Sequence, residues 1–92
     1  MIGSFRHKGL KEFFETGNKR GIRPEMVSRL GRRLDVLEAA QELNDIDAHG
    51  FNLHRLKGDR QGEWAISVSG NWRITFRFEK GEALDINLEG YH

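Results

Sequence analysis

Cysteine is absent from the 92 residues, which excludes a disulfide framework and any thiolate-held zinc. Apolar runs never exceed a few residues, far short of the roughly 20 that cross a bilayer. The opening Met1-Ile2-Gly3-Ser4-Phe5-Arg6-His7-Lys8 lacks the apolar core of a secretory leader. Linkers, internal repeats and low-complexity tracts are also missing. What is present suffices for a packed core: 37% apolar residues and nine aromatics argue against disorder. The expectation is one soluble, cytoplasmic domain over residues 1–92.

A formal net charge of +1 conceals an asymmetry. Residues 1–33 hold nine Lys/Arg against three Asp/Glu, whereas residues 34–92 hold six against eleven. Such polarity suits a basic surface for an anionic partner, nucleic acid or an acidic peptide, although solvated basic helix faces explain it equally well.

The first half reads as helical. After an extended start at Ile2 to Phe5, residues Leu10, Phe13 and Phe14 fall on one helical face, and Gly17 supplies a stop. Pro24 and Glu25 suit the first turn of a second helix. Its apolar stripe is Met26, Val27, Leu30, Leu34, Leu37 and Ala40, and it is expected to end near Leu43-Asn44-Asp45.

The second half alternates as strands do, at Trp64 to Val68, Trp72 to Phe78 and Leu84 to Glu89, with a shorter candidate from Phe51 to Leu56. A three-residue loop, Ser69-Gly70-Asn71, would set Val68 opposite Trp72, Ile66 opposite Ile74 and Trp64 opposite Phe76. The following hairpin would pair Phe78 with Leu84, Phe76 with Ile86 and Ile74 with Leu88. On its other face Arg77 meets Asp85, Thr75 meets Asn87 and Arg73 meets Glu89. The sheet then has an apolar side for the helices and a polar side carrying His54, Ser67, Arg73, Arg77 and Tyr91, with His92 at its end. Leu56 lands on the polar side too, and the pattern does not explain it.

That polar side offers one kind of chemistry. Cleaving RNA through its own 2′-hydroxyl needs a base for the hydroxyl proton, an acid for the departing 5′-oxygen, and cations for the crowded phosphorane. Histidine suits both proton roles, arginine matches phosphate oxygens, and tyrosine can stack or donate. His54, His92, Arg73, Tyr91, Lys57 and Arg60 supply those types. Each also has a plainer role: Arg73 and Arg77 as strand charges paired with Glu89 and Asp85, His54 as a surface histidine, Tyr91-His92 as a mobile end. Arg20, Arg23, Arg29, Arg32 and Arg33 could track a phosphate backbone or keep the helices soluble. Asp45, Asp47 and His49 fit no EF-hand or zinc spacing, and Gly58 to Gly62 lacks the Gly-Lys-Ser/Thr of a phosphate-binding loop.

Several runs together resemble the HigB toxins of the RelE/ParE superfamily. They are Met1-Ile2-x-Ser4-Phe5, His7-Lys8-Gly9-Leu10, His54-x-Leu56-Lys57-Gly58-Asp59-Arg60, Trp64-x-Ile66, Asn71-Trp72-Arg73-Ile74-Thr75-Phe76 and the closing Tyr91-His92. The resemblance spans essentially the whole chain. It implies an α+β, RelE-like microbial-RNase fold, with two N-terminal helices on one face of a mostly antiparallel sheet of four to five strands. It implies a toxin of a bacterial toxin–antitoxin pair, a ribosome-dependent, metal-independent mRNA endonuclease that uses no cofactor and cuts in the ribosomal A site. Its partners would be a HigA-like helix-turn-helix antitoxin, the bacterial ribosome and mRNA, with operator DNA reached only through the antitoxin complex and no membrane.

By position the resemblance makes His54 and His92 the proton-transfer histidines, Tyr91 the aromatic beside them, Arg73 a phosphate-stabilising cation, and Lys57 and Arg60 RNA contacts. HigB toxins often end in Asp-Tyr-His, whereas here Gly90 precedes Tyr91 and that carboxylate is missing. Two other functions stay open at this point: a ParE-like toxin that inhibits DNA gyrase without cutting RNA, and a non-catalytic regulatory module.

Overall fold

A computed structural model of the chain describes residues 1–90. Helix α1 runs Lys8–Thr16. His7 caps its start, Nδ1 accepting the Leu10 N–H at 3.1 Å, and Gly17 closes it in the left-handed region at φ 80°. Leu10 is buried, while Phe13 and Phe14 pack at the margin of the core. The first turn of α1 lies against the loop that follows the helix. A Cβ on Gly9 would come within 2.8 Å of the Gly21 carbonyl oxygen, so the approach needs glycine.

Pro24–Met26 forms a single 3₁₀ turn that feeds α2, Val27–Ala39. The expected stripe holds: Met26, Leu30, Leu34, Leu37 and Ala40 are buried, and Val27 packs beside them. The expected helix end does not. Ala40 is extended (φ −70°, ψ 135°), and a separate short helix, α3, occupies Leu43–Asp47. The reason is a capping box that the apolar pattern does not reveal. Glu42 accepts the Asp45 N–H, and Asp45 Oδ2 accepts the Glu42 N–H at 3.1 Å, which starts a new helix. Among the described residues there are therefore three α-helices where two were expected.

Among the described residues four strands form one antiparallel sheet in the order β1-β2-β3-β4: His54–Arg55, Trp64–Ser69, Trp72–Glu79 and Glu82–Gly90. The Phe51 to Leu56 candidate shrinks to the two residues of β1, which ends before Leu56. The extended start joins through parallel bridges, Ile2 to Ala83 and Phe5 to Ile86. Ile66, Val68, Ile74, Phe76 and Ile86 share a core with Leu10, Leu30, Leu34, Leu37 and Ile46.

Register matches expectation in the strand bodies and departs from it at the turns. Trp64 faces Phe76 and Ile66 faces Ile74, but Ser69 faces Trp72, so the turn is Gly70-Asn71 and a bulge absorbs the extra residue. In the next hairpin Ile74 faces Leu88, Thr75 faces Asn87 and Arg73 faces Glu89 as expected. Beyond a second bulge Arg77 faces Leu84 and Phe78 faces Ala83, with Asp85 at φ 52°. The expected Arg77–Asp85 pair is not made, and Arg77 Nε instead reaches Glu79 at 3.4 Å.

Candidate active site

Side chains alternate across a sheet, so the registers above fix which groups share the face away from the core. His54 pairs with Ala65, Ala65 with Thr75, and Thr75 with Asn87, one row across all four strands. The neighbouring row runs Ser67, Arg73, Glu89. His54 and Arg73 therefore lie on one face, two strands and one row apart, about 12 Å at the backbone. Tyr91 and His92, both expected at the site, lie outside the described residues.

His54 is half-buried, and its Nδ1 stands 2.8 Å from the Asn52 carbonyl oxygen. A carbonyl only accepts, so Nδ1 carries a proton, and in the neutral ring the lone pair then lies on Nε2. Asn52 makes that contact possible by turning the chain at φ 59°, a conformation that asparagine tolerates better than most residues. Its amide Nδ2 reaches Ser67 Oγ at 3.3 Å, tying the turn to β2.

Lys57 is exposed, at the start of a 3₁₀ turn over Gly58–Arg60. Arg60 folds back from that turn onto the sheet. Its Nη1 and Nη2 donate to Glu89 at 2.7 and 2.5 Å, while Nε and Nη2 donate to Glu63 at 3.2 and 2.9 Å. Arg60, expected to touch RNA, is thus engaged with two carboxylates in the protein.

Glu89 is the hub of this cluster. Besides Arg60 it accepts from Thr75 Oγ1 at 2.8 Å, Asn87 Nδ2 at 3.4 Å and Arg73 Nη2 at 3.5 Å. The hydrogen bonds from Arg60, then that from Thr75, hold its carboxyl down at about 2 against the pull of burial. Arg60 also holds Glu63 below the usual carboxylate range, and both acids push the guanidinium pKa up. Strand alternation predicts the Arg73–Glu89 and Thr75–Asn87 pairings but not the Arg60 clamp. The Arg60-x-x-Glu63 spacing was the available signal, three residues apart across a tight turn.

Gly90 ends β4 opposite Trp72, and a Cβ there would sit in ordinary contact with the indole at 3.5 Å. The backbone thus tolerates a β-carbon at this position. Beside it opens a cleft of about 430 Å³ lined by Arg23, Met26, Asn71 and Trp72 among others, with the Arg23 guanidinium 5.1 Å from the Trp72 ring centre.

Of the basic helix residues, Arg33 is occupied. Its Nε donates to the Ser67 carbonyl at 2.7 Å, and its guanidinium lies 4.3 Å over Phe51. Burial, then Arg29 and Arg32, lower its pKa. Arg20, Arg29 and Arg32 are exposed. Among the described residues no three His, Cys, Asp or Glu side chains gather to hold a metal, and no helix is long and apolar enough to cross a membrane.

The family model described as a RelE-like toxin of type II toxin–antitoxin system HigB matches residues 3–92. Endoribonuclease HigB of Proteus vulgaris is 47% identical over 92 residues, covering 100% of both chains. Toxin HigB-1 of Vibrio cholerae serotype O1 is 30% identical over 91 residues, 97% of this chain and 96% of that one.

Proposed function

The chain belongs to the HigB-like toxin family, RelE-like toxins of type II toxin–antitoxin systems, and from that footing we propose that residues 1–92 form one toxin domain that cuts mRNA in the ribosomal A site. Translation stops because the message is severed where it is read. The observation that carries the reading is the shared outer face of His54 and Arg73, in a chain that the family model covers almost end to end.

In the proposed reaction His54 Nε2 takes the proton of the 2′-hydroxyl, and the 2′-oxygen attacks the adjacent phosphorus. The bond from phosphorus to the 5′-oxygen breaks, and that oxygen takes a proton from His92. The products are a 2′,3′-cyclic phosphate and a 5′-hydroxyl end. The Nδ1 contact with Asn52 supports the base role, since it sets the tautomer with Nε2 unprotonated. Arg73 offsets charge on the phosphorane, Tyr91 positions the substrate, and Lys57 contacts the RNA backbone from its exposed turn. Arg60 reaches RNA only at the margin of its clamp, with most of its donors held by Glu63 and Glu89. Protons and charge are all this chemistry requires, so the reading calls for no metal and no cofactor. A HigA-like helix-turn-helix antitoxin in the same cytoplasm would restrain the toxin, and operator DNA would be met only through that complex.

The ribosome supplies what this face lacks. A row of side chains on an open sheet does little to bend a free strand, whereas the A site can hold the message in line for attack. The test is cleavage of ribosome-bound mRNA by the purified chain. His54→Ala and a chain lacking Tyr91 and His92 should each lose about 100-fold or more. Undiminished cutting by either rejects the assignment. Intact mRNA together with inhibited gyrase supercoiling rejects the nuclease in favour of a ParE-like action.

A further inference from the structure

Glu89 is an anion beside the cation proposed to bind an anion, and this needs a reason. A carboxylate 3.5 Å from Arg73 Nη2 competes with phosphate for that guanidinium. The competition is unequal, however. Both Glu89 oxygens are already engaged by the Arg60 fork at 2.7 and 2.5 Å, and Thr75 takes a further position at 2.8 Å. The contact to Arg73 is the longest that Glu89 makes, and Arg60 offsets the charge behind it. Arg60 also ties the turn after Lys57 to β4, the strand that leads into Tyr91 and His92.

We propose that Glu89 is a positioning residue for this site: held from behind by Arg60, its carboxylate sets the approach of the Arg73 guanidinium and yields it to the scissile phosphate. The long contact aims Arg73, and the short contacts keep Glu89 from following. The inference rests on the reading of Arg73 as the phosphate-stabilising cation.

The experiment is a double-mutant cycle read by single-turnover cleavage of mRNA in assembled ribosome complexes, with thermal unfolding to verify folding. Glu89→Gln should lower the maximal rate about 10- to 100-fold, as expected of a misplaced catalytic group, with the half-saturating complex concentration unchanged. Arg73→Ala should lower it further, and adding Glu89→Gln to Arg73→Ala should do nothing more. If Glu89→Gln cuts at the wild-type rate, or costs the same factor in the Arg73→Ala background, the proposal is overturned. Should Glu89→Gln fail to fold, Arg60→Lys replaces it in the cycle, because a lysine keeps the charge but cannot hold both carboxylates as a fork. Uncut mRNA with the wild-type chain rejects the endonuclease itself, and a wild-type rate from Arg73→Ala rejects the phosphate role of Arg73. Either result overturns the role of Glu89, and the two are told apart by which variant shows it.

Discussion

At the start of α1 a histidine does the work usually given to serine, threonine or aspartate. His7 Nδ1 accepts the Leu10 N–H, which it can do only while that nitrogen is unprotonated. Burial lowers its pKa below the usual 6.5, partly offset by a backbone hydrogen bond. A base whose pKa falls on folding binds protons more readily when unfolded. The stability that His7 gives is therefore fully present above about pH 6.5 and declines as pH falls through the lower folded value. Unfolding free energies from urea titrations taken from neutral to mildly acid pH should drop by the worth of a helix cap, about 0.5–2 kcal/mol. A His7→Asn chain, capped by an amide that does not titrate, should lack that part of the decline. An identical decline in both chains would reject the cap as its source.

Asn52 and Glu89 show why the site was only partly legible at this scale. The sequence displays which groups are basic or acidic, and alternation tells which side of a strand they face. It does not show that Arg60 returns across the sheet, because that depends on a left-handed turn at Gly58 and on Glu63 and Glu89 meeting in space.

Among the elements, the hairpins separate what periodicity encodes from what it leaves out. A period of two fixes the faces of β2, β3 and β4, which is why Ile74 meets both Ile66 and Leu88 as expected. A bulge adds one residue without altering composition, and two of them shift the pairing at Ser69 and at Arg77. The break between α2 and α3 was hidden for a similar reason, since the apolar stripe continues through Ala40 while the Glu42–Asp45 box restarts the helix. The turn joining β3 to β4 is Lys80-Gly81, with φ at 52° and 80°. Lysine is a poor occupant of the left-handed region, and asparagine before glycine is the preferred pair in such a turn. Lys80→Asn should raise unfolding stability by about 0.5–1 kcal/mol in chemical denaturation, with cleavage unchanged. A chain less stable than wild type would show that Lys80 contributes more than its backbone costs.

Over the whole molecule, the charge asymmetry is sharpened by folding. Several acids of the second half are spent internally: Glu38 accepts the Ile2 N–H at 2.7 Å, Asp45 caps α3, and Glu63 and Glu89 hold Arg60. Most of the basic residues of the first half remain exposed, Arg20, Arg29 and Arg32 among them. An exposed cationic surface should bind ribosomal RNA with a steep dependence on salt. Arg29→Glu with Arg32→Glu should weaken sedimentation with ribosomes and flatten that dependence between about 50 and 200 mM salt. Unfolding stability should hardly change, since neither side chain is buried. Equal binding by this variant would reduce the two arginines to solubilising groups.

The short segment that lies along β4 has a last consequence. Main-chain bonds from Gly3, Arg6 and their neighbours occupy Ala83 and Ile86, and the far border of the sheet is only two residues wide at β1. Strands left bare at a border invite copies of themselves to stack, the route into fibres and inclusion bodies. Here the templates are plugged or too brief to propagate. A toxin stripped of its antitoxin would thus stay dispersed instead of stacking on its own copies.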